Sequence, residues 1–158
     1  MKTTTATIVK AKTDTRLVDA LNLVLADSYA LMGLSHLAHW NLEGADFFAL
    51  HKAFEEHYKN LFEACDEIAE RVRALDAYAI GGLSRLAQTA GLEEFSSPPM
   101  PQKDYVAALI VAHEKVIEDA TRTRDLAGDG HDLQSQDLMI KRLTFHQKTV
   151  WMLKSYLK

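Results

Sequence analysis

From about Arg16 to Trp40 the apolar residues Leu17, Leu21, Val24, Leu25, Leu31, Leu34, Leu37 and Ala38 recur at threes and fours. That is the period of one buried helix face, and Asp14 and Thr15 in front of it supply N-cap chemistry. Asn41-Leu-Glu-Gly44 reads as a short break. A second amphipathic run extends from about Asp46 to Ala77 through Phe47, Leu50, Phe54, Tyr58, Leu61, Phe62, Cys65, Ile68, Val72 and Leu75, and Gly81-Gly82 closes it. Residues 83–90 suit a short helix inside a long connection, which Ser96-Ser-Pro-Pro-Met-Pro101 then interrupts. A third long run spans about Lys103 to Ala127 and stops at Gly128-Asp-Gly130. The fourth spans about Asp132 to Tyr156.

No strand alternation and no internal repeat is visible. Four long helices with one long crossover between the second and third match an all-α, ferritin-like four-helix bundle with a short extra helix in the connection. Residues 15–158 read as this one domain, and 158 residues suffice to bury a substantial core. Residues 1–14 read as a flexible, mildly basic, Thr-rich arm, with Lys2, Lys10 and Lys12 against Asp14. Such an arm is a solvated tail or a weak phosphate contact.

Composition narrows the setting. The chain is 47% hydrophobic and 25% charged, the balance of an ordinary globular protein. No uninterrupted apolar run approaches the ~20 residues that cross a bilayer, so no membrane partner is expected. The net charge of −4 argues against a generally nucleic-acid-like surface. The single Cys65 rules out an intramolecular disulfide and suits a reducing cytoplasm; a plain helix position explains it.

The chemistry-bearing residues crowd the second quarter: His36, His39, Trp40, His51, Glu55, Asp66 and Glu70. His51 and Glu55 share a helix face, as do Asp66 and Glu70. The pairs lie 11 residues apart at their nearest, roughly 16 Å along a helix. One straight helix cannot bring both to one ion. Mixed imidazole and carboxylate donors suit iron and similar divalent ions. Glu-x-x-His, which builds a di-iron centre inside a single bundle, occurs nowhere in the chain. The numbering suggests an alternative, because 51 + 70 equals 55 + 66. Two copies of this helix crossing antiparallel about a two-fold axis near residues 60–61 bring His51 to the partner's Glu70 and Glu55 to the partner's Asp66. A two-fold contact must be self-complementary, and this spacing is. Tyr58 and Phe62 lie between the pairs, ready to pack across it.

His36-Leu-Ala-His39-Trp40-Asn41, Gly44, Phe48, His51 and Asp66-Glu-Ile-Ala-Glu70-Arg71 together resemble the Dps mini-ferritins (DNA-binding proteins from starved cells), over essentially the whole chain. The resemblance implies a hollow dodecamer with ferroxidase centres at two-fold interfaces. His39 and His51 come from one subunit, and Asp66 and Glu70 from its partner. It implies up to two iron ions per centre, hydrogen peroxide as preferred oxidant with dioxygen slower, ferric mineral stored in the cavity, and protection of DNA from oxidative damage. Zinc or manganese fits the same donors. Position 55 departs from the usual Asp, and Glu55 reaches roughly 1 Å further for its extra methylene. His36 and Trp40 are accessory candidates. Asp129, Asp132 and Asp137 are candidates for an iron-entry pore; helix capping accounts for them equally well. A nucleoid-compacting, DNA-binding role with a secondary metal site is the alternative function.

Overall fold

The computed structural model describes residues 14–95 and 98–158. Among them are five helices: α1 (Thr15–Asn41), α2 (Phe47–Ala74), α3 (Leu83–Thr89), α4 (Gln102–Asp129) and α5 (Leu133–Tyr156). The order and the short helix in the crossover are those that the periodicity predicts. All but Asp14 of the N-terminal arm lies outside the described residues.

Caps set several of the ends. The Asp14 side chain accepts from Arg16 N–H at 2.9 Å, and Asp132 accepts from Ser135 N–H at 3.1 Å. α2 stops at Ala74 rather than the expected Ala77, because the chain enters the left-handed region at Asp76, φ 65°. Between α1 and α2 the chain reverses through Gly44 at φ 123°, a conformation that favours glycine.

α1 packs chiefly on α2, α4 on α5, and α1 crosses α4, while α3 leans on α1. Two apolar clusters fill the bundle. One joins Leu31, Leu34, Phe54, Leu61, Tyr105, Leu109 and Val150; the other joins Leu21, Val24, Ile68, Val72, Ala120 and Met139. By length and composition α1 is apolar enough to cross a bilayer, which the sequence reading did not anticipate. Most of that stretch is buried against the neighbouring helices, as a core helix requires.

Arg71 ties α2 to the start of α5. Its guanidinium holds both Asp132 oxygens, at 2.7 and 2.8 Å, and donates to Ser135 Oγ at 2.8 Å. The pair is largely buried, so truncation strands a carboxylate away from water. Arg71→Ala should cost about 2 kcal/mol, read as a lower urea midpoint with unchanged slope.

Candidate metal centre

His39 sits in the last turn of α1 and His51 in the second turn of α2, on either side of the Gly44 reversal. The rings stack at 3.7 Å between centroids, 18° from parallel. His39 Nδ1–H donates to the carbonyl of His51 at 2.8 Å, and His51 Nδ1–H donates to the carbonyl of His39 at 2.9 Å. A carbonyl only accepts, so both protons must lie on Nδ1. Each Nε2 then carries a lone pair, the form in which imidazole binds a metal, and the second nitrogen is already anchored.

Aromatic rings surround this pair. His36 stacks on Tyr58 at 4.1 Å and on Trp40 at 5.1 Å, and Tyr58 meets the His39 ring edge-on at 5.3 Å. Burial, and then the neighbouring His39, push His36 below the usual imidazole range. Trp40, stacked on His36, is 68% exposed, and Phe62 on α2 is 66% exposed; both are large apolar surfaces.

Glu55 lies one turn beyond His51 and is engaged by its own helix. Lys52 Nζ is 3.0 Å from Oε2, and Lys59 Nζ binds Oε1. Hydrogen bonds from Lys59 and then Lys52 hold its carboxyl down to about 2. Asp66 and Glu70 are exposed near the far end of α2. Thus one chain brings His39 and His51 together and leaves Asp66 and Glu70 apart from them. Among the described residues, no three His, Cys, Asp or Glu side chains of one chain gather where a metal ion would sit.

Of the pore candidates, Asp132 spends its carboxylate on Arg71 and the α5 cap. Asp137 pairs with Lys141 at 3.2 Å, and Asp129 ends α4 in an exposed position. Cys65 is buried and its thiol is pushed up to about 12 by that burial, so it stays protonated.

A second histidine group escaped the sequence reading. His57 on α2, His113 on α4 and His146 on α5 meet inside the bundle, with ring centroids 5.7 Å apart for His57–His113 and 5.1 Å for His113–His146. Nδ1 of His113 and Nδ1 of His146 are 2.9 Å apart, so one of them donates and the other accepts. Arg142 lies on the Phe145 ring beside them and donates to Asn60 Oδ1. Burial pulls His57 down to about 4 and, with His57 and Arg142 adding to it, His113 to about 3; His146 falls well below the ordinary value for the same reasons. The signal was present: 57, 113 and 146 each fall on the apolar stripe of their helix.

Residues 18–158 match the family described as ferritin-like domain. The chain is 36% identical to an uncharacterised low temperature-induced protein of Nostoc over 89% of this chain and 79% of that one. It is 29% identical to the DNA protection during starvation protein of Helicobacter pylori, over 88% and 96% of the two chains. Among solved structures it is similar to the Dps protein of Vibrio cholerae, described as one of a superfamily of ferritin-like diiron-carboxylate proteins. The TM-score is 0.88 at 28% identity, over 99% of this chain and 100% of that one. Dps from Staphylococcus aureus gives a TM-score of 0.88 at 28% identity, over 94% and 99%. The fold and the donor-bearing corner thus define a ferritin-like bundle. The chain belongs to the ferritin-like family and, within it, to the Dps mini-ferritins.

Proposed function

We propose that this protein oxidises ferrous iron at centres shared between two-fold-related subunits and stores the ferric product in a hollow cage, a dodecamer, so shielding DNA from oxidative damage. The observation that carries this reading is the reciprocal anchoring of His39 and His51. It leaves two Nε2 lone pairs free for a metal while, among the described residues, no third His, Cys, Asp or Glu of the same chain gathers with them. Asp66 and Glu70 of the partner subunit complete the set when two α2 helices cross antiparallel near residues 60–61, and Phe62 and Tyr58 pack across that contact.

Iron is the substrate. Imidazoles and carboxylates hold two ferrous ions while leaving positions for an oxidant. Each ion gives one electron to hydrogen peroxide, the O–O bond breaks, and two protons are taken up to yield water. Because both electrons arrive together, no hydroxyl radical is released. The carboxylates favour the ferric product, whose higher charge they neutralise. Dioxygen serves as the slower oxidant, and zinc or manganese competes for the same donors. A reducing cytoplasm, where Cys65 remains a thiol, suits ferrous supply.

Stopped-flow absorbance of ferric product after anaerobic ferrous loading and a peroxide pulse tests the reading. His39→Ala/Asp66→Ala should slow formation by roughly 100-fold or more, to the uncatalysed background. A double variant that oxidises iron at the wild-type rate would overturn it.

A further inference from the structure

Glu55 is clasped by two ammonium groups of its own helix, one from Lys52 at i−3 and one from Lys59 at i+4. Both share its face, so they flank the surface that His51 and Glu55 present. Under the two-fold numbering, Lys52 lies opposite residue 69 and Lys59 opposite residue 62 of the other copy. Asp66 of the partner subunit falls between them. Two lysines therefore bracket two facing carboxylates, and the cations occupy the place where a ligating Glu55 would carry metal charge.

We infer that Lys52 and Lys59 are specificity-determining residues: they stand in for metal charge at Glu55 and make the ferrous position beside it the weaker of the two. The inference rests on the shared-centre reading above. A divalent ion reaching Glu55 must first displace both ammonium groups and then remain within a few ångströms of them. Repulsion of that kind, in the intermediate dielectric of a protein surface, weakens binding on the order of tenfold to a hundredfold. At the other ferrous position, among the described residues, His39 and His51 are engaged by backbone carbonyls rather than by an ammonium group. Without metal, the same lysines neutralise Glu55 and Asp66 of the partner subunit and keep the acid-rich contact from repelling itself.

Calorimetric titration of the metal-free full-length protein with Co2+ separates the two positions without turnover. Wild type should show two steps per centre, the second the weaker. Lys52→Met/Lys59→Met keeps the aliphatic stems and should tighten the second step tenfold or more, with the first unchanged within about twofold. Lys59→Arg should keep the weak second step. Each single Met variant should fall between, which tests the inference even if the double variant misfolds. An unchanged second step, equal tightening of both steps, or wild-type steps of equal strength would overturn the inference. The shared-centre reading fails differently: His39→Ala/Asp66→Ala would then keep the first step.

Discussion

Acidification from pH 7 to pH 5 should strip several kcal/mol from the stability of this bundle. His57, His113 and His146 are buried on three helices, and among the described residues no carboxylate is among the groups that shift them; Arg142, which helps shift His113 and His146, is itself a cation. His57 therefore stays neutral in the fold down to about pH 4 and His113 down to about 3, with His146 also held well below its ordinary value, while in the unfolded chain each takes a proton near pH 6.5. Folded values below unfolded ones mean that this stability is complete above pH 6.5 and is lost as pH falls toward the folded values.

Asp27 acts the other way. Burial, opposed by the Gly91 N–H at 2.7 Å and reinforced by nearby Asp119, raises its carboxyl to about 6, so the native state binds this proton first. For these four buried groups alone, three protons taken by the unfolded chain against one by the folded leave a net of two, roughly 3 kcal/mol per pH unit between pH 6 and 5. Urea midpoints at fixed protein concentration across pH 7, 6 and 5 should fall accordingly. His146→Leu should flatten the dependence by one proton. A midpoint independent of pH over that range would refute the account.

Placing charge at the centre of the proposed α2 contact should cost iron binding outright. Phe62 is mostly exposed and Tyr58 half-buried, so Tyr58→Glu/Phe62→Glu should leave the subunit helical by circular dichroism. Light scattering should then report a monomer. The monomer retains His39 and His51 but not Asp66 and Glu70 of the partner subunit, and ferrous affinity should fall at least roughly 100-fold. Tight binding in a proven monomer would show that one chain builds the centre alone.

The helices were legible because burial of one face imposes a 3.6-residue period on Leu, Val and Ile, and because Asp14 and Asp132 mark their starts chemically. The end of α2 was not, since a positive φ at Asp76 carries no compositional signature. At the candidate centre, the pairing of His51 with Glu55 and of Asp66 with Glu70 followed from helical spacing. The anchoring of His39 and His51 did not, because its acceptors are backbone carbonyls, which every residue possesses. Nor did the clasp on Glu55 emerge, because helical spacing puts Lys52 and Lys59 within reach of it without saying that both close on one carboxylate. The interior histidines were passed over because each sits where a Leu would serve, and only the packing of α2, α4 and α5 brings them together.

The reciprocal bonds between His39 and His51 join residues only 12 apart, across one tight reversal of the chain. Contacts that local close early and at little loop entropy. The imidazole half of the proposed centre is thus finished when the α1–α2 corner forms, without a second subunit. Assembly then acquires a direction in time. In the proposed shared centre the corner folds first, the partner then brings its carboxylates to rings already anchored, and iron enters last, with Glu55 still to be released from its two lysines.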